Sequence, residues 1–247
     1  MSEGVLVVGH GSHLHAASSA PIHAHVRRLR ARLSAGVEVR AAFWKEEPAL
    51  SRGLESFSSA VDDVTVVPLF MASGYFTGQV IPREMQLSGR LTSAAGRSVR
   101  LTPPIGGHPL LARVIVERAL EAGAPAGSAV VVLGHGTARH SGSSANTLQQ
   151  VEHVRRIGPF SEVTAAFIDQ EPNIRNIGAL VSARDTVVVP LFIADGWHVG
   201  ITIPEDLRLD GAATLVGGRS LRLAQAVGTH PTVTDVILEL VAEASRW

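Results

Sequence analysis

Two short segments place a histidine where an apolar run stops. Val5-Leu-Val-Val-Gly-His-Gly-Ser12 and Val130-Val-Val-Leu-Gly-His-Gly-Thr137 set His10 and His135 between two glycines, each directly after four apolar residues. Further into the second half come Asp169 and Glu171, within Ala165-Ala-Phe-Ile-Asp-Gln-Glu-Pro172, and then His198, within Gly196-Trp-His-Val-Gly200. Imidazoles change charge near neutral pH and bind borderline cations. Two of them with a carboxylate suit an open site for Co²⁺, Fe²⁺, Ni²⁺ or Zn²⁺, or a proton-accepting site. A lone histidine of this kind more often hydrogen-bonds loop backbone, so convergence of several such groups has to carry the functional reading. Glu171, just before Pro172, also suits a helix start electrostatically. Asp169 lies two residues earlier and so shares its strand face. Which carboxylate points inward stays open at this level.

The elements that must position these groups follow from an internal duplication. His10 matches His135 at an offset of 125 residues, Ala41–Pro48 matches Ala165–Pro172 at 124, and Val66–Phe70 matches Val188–Phe192 at 122. Ile81-Pro82 and His108-Pro109 have counterparts in Ile203-Pro204 and His230-Pro231. The drift is small, as in a tandem repeat with minor loop deletions. We expect one repeat over 1–124 and a second over 125–247, with Gly123–Ser128 as the linker. Each repeat alternates strands and helices. In the first, strands are expected at Val5–Val8, Glu38–Phe43, Thr65–Phe70 and Val99–Pro103. Helices are expected over Ser19–Leu33, after Pro48, after Pro82, and from His108 to about Gly123. The chain then ends on a helix over Pro231–Trp247. The fold class is therefore α/β: two tandem parallel-sheet domains, flavodoxin-like doubly wound halves facing a central cleft, with ligands beyond the carboxyl ends of the strands. Three consecutive strands of the second half deliver His135, the Asp169/Glu171 pair and His198 to that edge.

The halves differ in chemistry. Gly74-Tyr-Phe-Thr-Gly78 places Phe76 where the second half has His198, so the first half keeps His10 but lacks the second imidazole. It reads as a degenerate site, and the second half as the active one. The loop Thr137–Ser144 holds Arg139, Ser143 and Ser144, a composition suited to gripping carboxylates, although such loops are common. Tyr75, Phe76 and Trp197 offer flat apolar surface to a large ring, or ordinary packing. His13, His15, His23 and His25 lack a clean ligand spacing and read as a solvated loop and face rather than a metal-loading patch. His108 and His230 read as structural or cleft-lining.

Composition limits the partners. The 247 residues carry 22 basic and 22 acidic side chains, which points to neither nucleic acid nor a membrane surface. With no cysteine there is no disulfide, thiolate zinc site or iron–sulfur cluster, so any metal is held by nitrogen and oxygen. No nucleotide-binding motif is present. No apolar run reaches membrane-spanning length and no leader pattern opens the chain, so we expect a soluble, cytoplasmic protein.

The ordered set Gly-His-Gly-Ser, Phe-x₃–₄-Glu-Pro and Val-Pro-Leu-Phe-x₅-His-x₅-Pro, over nearly the whole chain with both halves included, resembles the sirohydrochlorin chelatases of the CbiX/SirB type. These are class II chelatases, related in fold to ferrochelatase. The resemblance implies a lyase that inserts Co²⁺ or Fe²⁺ (or Ni²⁺) as substrate into sirohydrochlorin or a related tetrapyrrole without ATP, in cobalamin or sirohaem synthesis. It implies that His135 and His198 are the motif histidines, that His10 is a surviving counterpart, and that the site carboxylate lies within Ala165–Pro172. The chain departs from the family pattern twice. The carboxylate spacing is one residue shorter, and the intact histidine pair sits in the C-terminal rather than the N-terminal half. Long members fuse two halves that short members bring together as homodimers, so we expect a monomer. A catalytically weak tetrapyrrole or metal carrier on the same fold is the alternative. A hydrolase or phosphate-handling enzyme is a more distant one.

Overall fold

The computed structural model describes residues 2–13, 18–137, 142–211, 213–216 and 218–247, with backbone only for Ser2, Gly142 and Ser143. The chain forms two compact units, residues 1–105 with 231–247 and residues 106–230.

In the first unit, β1 (Ser2–Gly9) is the central strand, paired in parallel with β2 (Val37–Phe43) on one side and β3 (Val61–Pro68) on the other. An antiparallel hairpin, β4 (Leu91–Ala94) and β5 (Arg97–Leu101), completes the order β2-β1-β3-β5-β4, with β5 parallel to β3. Val5, Leu6, Val7 and Val8 are all buried, as a strand covered on both faces requires. Alternate residues feed different layers. Leu6 and Val8 join Leu50, Leu54, Phe57, Ile81 and Met85 in one core cluster. Against β1 and β2 lies α1 (Ala20–Arg32), whose Ile22, Val26 and Leu29 form the buried stripe expected from their spacing.

The second unit repeats the plan. Its strands β6 (Ala129–Gly134), β7 (Glu162–Phe167), β8 (Asp185–Pro190), β9 (Thr214–Val216) and β10 (Arg219–Leu223) take the order β7-β6-β8-β10-β9. Against β6 and β7 packs α4 (Gly142–Ile157).

The compact units do not coincide with the sequence repeats. The first repeat's last helix, α3 (Leu111–Glu121), packs against α4 and β8 within the second unit. There Gln150 Nε2 donates to the carbonyls of Gly106 (2.9 Å) and His108 (3.0 Å). The second repeat's last helix, α7 (Val233–Ala244), packs against α1 and β3 within the first unit. Each repeat thus ends in a helix that completes the other repeat's unit. Glu3, Val5, Val241 and Ser245 line one small cavity, which brings the end of α7 beside the start of β1.

Several elements differ from expectation. Pro48 and Pro172, each after a cis peptide bond, open 3₁₀ turns (Leu50–Arg52, Leu54–Ser56, Ile174–Asn176) and one helical turn, α5 (Ile177–Leu180), rather than full helices. Pro82 and Pro204 sit in the single-turn helices α2 (Ile81–Glu84) and α6 (Ile203–Leu207), each entered through a π-turn, Phe76–Val80 or His198–Thr202. The strands β4 and β9 were not expected. Among the described residues no helix is long and apolar enough to cross a membrane.

Candidate functional site

In the second unit the site stands at the carboxyl ends of β6, β7 and β8. The adjacent pair β6 and β8 is the point where the strand order reverses, the usual ligand crevice of such sheets. The strand-end turn needs its second glycine. Gly136 has φ +74°, and a Cβ there would lie 2.6 Å from Gln170 Cγ and 2.9 Å from Phe167 Cβ. Backbone bonds from Ile168 and Asp169 N–H to the His135 carbonyl (3.1 and 3.0 Å) tie the β6 and β7 ends together. Gln170 Oε1 accepts from Thr137 N–H (3.0 Å) and pins the far side of the turn.

His135 donates Nδ1–H to the Gly136 carbonyl at 3.0 Å, and Asp169 Oδ2 lies 3.4 Å from the same nitrogen. An acceptor on Nδ1 favours the tautomer that carries its proton there and orients the ring, with the carboxylate standing behind it. His198 enters from the π-turn after β8. Its ring centroid is 5.0 Å from that of His135, with the planes at 89°, and Phe192 lies against both rings. Burial of the His198 imidazole lowers its pKa, the neighbouring His135 lowers it further, and Asp169 partly offsets both. His198 is thus held neutral at pH 7. Its Nδ1 is buried with no hydrogen-bond partner among the described residues.

The structure therefore brings together His135, His198 and Asp169. Glu171 is engaged elsewhere: its Oε2 accepts from Asn173 N–H at 2.8 Å and supports the 3₁₀ turn that follows. Among the described residues no three His, Asp or Glu side chains are arranged to hold a metal ion. Asp169 stands behind His135 rather than beside its Nε2, so the trio offers two imidazoles and a backing carboxylate. Trp197, next to His198, is 67% exposed. Ser144 is half-buried in α4, whereas Arg139, like His15, lies outside the described residues and the Ser143 side chain is likewise not described.

The first unit keeps the scaffold and changes the side chains. His10 donates Nδ1–H to the Gly11 carbonyl (2.9 Å), Lys45 N–H donates to the His10 carbonyl (2.8 Å), and Ser12 N–H donates to Glu46 Oε2 (3.3 Å). Around His10, however, stand Trp44 and Phe76, edge-to-face at centroid distances of 5.2 and 4.9 Å. The remaining histidines are placed structurally. His25 is fully buried rather than solvated, with Nδ1 2.9 Å from Thr234 Oγ1. His108 is buried at the start of α3, where its Nδ1 accepts from Leu110 N–H (3.3 Å). His230 is buried between Glu121 (3.1 Å) and Glu117 (3.6 Å).

Comparison with known proteins bears on the family and the fold. The CbiX family model matches residues 4–122 and again 129–244. A Halobacterium salinarum protein described as a probable sirohydrochlorin cobaltochelatase is 38% identical over 98% of this chain and 91% of its own length. A Deinococcus radiodurans multi-domain protein with structural similarity to chelatases superposes with a TM-score of 0.84 at 29% identity, over 98% of this chain and 55% of that one. Bacillus subtilis SirB, solved with Fe³⁺, shares the fold at a TM-score of 0.81 and 21% identity, over 99% of this chain and 96% of its own. Repeated twice along its length, the match shows that the chain belongs to the CbiX family of sirohydrochlorin chelatases.

Proposed function

We propose that the protein inserts a divalent metal, Co²⁺ or Fe²⁺, into sirohydrochlorin without ATP, and that the second unit does the chemistry. The observation that carries this reading is the perpendicular His135–His198 pair with Asp169 behind it. Insertion releases two pyrrole protons as the metal enters, so bases that are neutral at pH 7 must stand beside the ring. His198 is kept neutral by burial, and His135 stands against it with Nδ1 turned to the Gly136 carbonyl. The cation must also be surrendered stepwise to ring nitrogens. Two imidazoles hold it loosely, where a closed four-ligand site would retain it. Trp197 supplies exposed ring surface for the macrocycle, and Arg139, Ser143 and Ser144 supply polar grips for its carboxylates. Both repeats lie in one chain, so the working form is a monomer, and a dimer in solution would contradict that.

The test is an anaerobic absorbance assay of sirohydrochlorin with Co²⁺, Fe²⁺ or Ni²⁺ and catalytic amounts of protein. Multiple turnovers lost in His135→Ala and His198→Ala but kept in His10→Ala support the reading. Loss confined to His10→Ala moves the chemistry to the first unit. The carrier alternative draws on Phe76, which leaves the first unit's copy of the site with His10 but no counterpart of His198. It predicts stoichiometric binding with no rate above the uncatalysed reaction.

A further inference from the structure

We infer that the first unit's copy of the site is a binding site for the tetrapyrrole itself, with one of the perpendicular Trp44 and Phe76 rings face-on to the macrocycle, the other edge-on to it, and Lys45 pairing with one of its carboxylates. The inference rests on the chelatase reading for the identity of the ring.

Three positions at matching places in the two sites differ in chemistry. Where the second unit has His198, Asp169 and Ile168, the first has Phe76, Lys45 and Trp44. The backbone around them is kept. Trp44 N–H donates to the Gly9 carbonyl (3.1 Å) and Lys45 N–H to that of His10 (2.8 Å), as Ile168 and Asp169 do to Gly134 (3.3 Å) and His135 (3.0 Å). Where one site has a carboxylate the other thus has a cation, and where one has an imidazole the other has an apolar ring, on the same scaffold.

The new side chains form a platform. Trp44 and Phe76 meet edge-to-face at 4.9 Å, Phe70 stacks beneath Phe76 at 6.0 Å, and Tyr75 flanks it at 5.8 Å. Phe70, Trp44 and Phe76 are only half-buried, and Tyr75 is 46% exposed, so ring surface remains open at the sheet's carboxyl edge. Lys45 Nζ lies 4.5 Å from the Trp44 ring, which places a fixed positive charge over that surface. Aromatic faces beside an ammonium match a flat conjugated ring with acidic substituents, and the same ammonium repels a divalent cation. The site therefore takes macrocycle and refuses metal.

The test is a titration of metal-free sirohydrochlorin, followed by quenching of protein fluorescence under anaerobic conditions. It compares wild type, Lys45→Glu, Lys45→Gln and the double variant Trp44→Leu/Phe76→Leu, with thermal midpoints recorded for each. The expected result is an affinity at least tenfold weaker in Lys45→Glu and in the double variant, and a smaller loss in Lys45→Gln. Lys45→Glu should keep the wild-type midpoint. Unchanged affinity in folded Lys45→Glu and Lys45→Gln overturns the inference, and so does a wild type that binds no macrocycle. Turnover is scored separately. Macrocycle binding that depends on Lys45 in a protein with no turnover sinks the chelatase reading and leaves the site; turnover with Lys45-independent binding does the reverse.

Discussion

The division of labour among His135, His198 and Asp169 rests on which nitrogen faces what. Asp169 stands at His135 Nδ1 and not at Nε2, which makes it a positioning residue. Replacing such a backing carboxylate typically costs about 10–100-fold in activity, so Asp169→Asn should lower kcat/KM by that amount. Glu171→Gln should leave kcat/KM within about threefold, since Glu171 serves the Asn173 turn; equal losses in the two variants would refute the assignment. His198 has a lowered pKa, so its imidazole signals in a proton NMR titration should move at a pH below the usual value of about 6.5. Asp169→Asn should lower that pKa further, and His135→Ala should raise it. The sign for stability follows. The unfolded chain takes up a proton near pH 6.5 that the folded His198 resists, so stability present above that pH is lost as pH falls through the window below it. His198→Gln should flatten that slope in denaturant titrations at graded pH. The motif histidines were legible because each ends or follows a distinctive apolar run. The carboxylate was not: the expected shared strand face does not exist, because β7 ends at Phe167, and the loop beyond it sends Asp169 to His135 and Glu171 to Asn173.

Among the elements, the central strands were legible because every residue of Val5–Val8 and Val130–Leu133 is apolar and buried. The edge hairpin was not. Leu91–Ala94 alternates exposed with half-buried residues and shows no apolar face, and its turn is marked only by Ala95 and Gly96, both at positive φ (51° and 72°). Pro48 and Pro172 misled for a related reason. Proline fixes its own φ and so suits a 3₁₀ turn as well as a helix start. The turn at Gly-His-Gly is where element and site meet. Gly136→Ala would force a left-handed residue into contact with Gln170 and Phe167. It should cost about 1–3 kcal/mol in chemical denaturation and at least tenfold in activity by shifting His135. Wild-type values for both would show that the turn has slack the distances do not suggest.

The exchange of terminal helices governs the whole molecule. Any amphipathic helix fits the face of either sheet, so no sequence pattern announced that α3 serves the second unit and α7 the first. The repeat boundary marks where the sequence recurs, and the units mark where the chain packs. A fragment of residues 1–124 would lack Val233, Val236, Ile237 and Leu240 of α7 over its sheet and carry α3 with its own apolar stripe uncovered. Alone it should give a non-cooperative thermal melt by circular dichroism, and mixing with 125–247 should restore a cooperative one. A fully cooperative melt of isolated, monomeric 1–124 would show the exchange to be dispensable. The first repeat is therefore needed for folding even where its site has lost its second imidazole.

The cavity shared by Glu3, Val5, Val241 and Ser245 gives that exchange a different meaning. Because the end of α7 lies beside the start of β1, the described residues can be followed as a loop. Followed as a loop from Gly106 through Trp247 and on from Ser2 to Ile105, the polypeptide visits the second unit once and then the first once, without interruption. In that cyclic order the trade of helices disappears, and a circularly permuted gene opened between Ile105 and Gly106 would encode the two compact units one after the other.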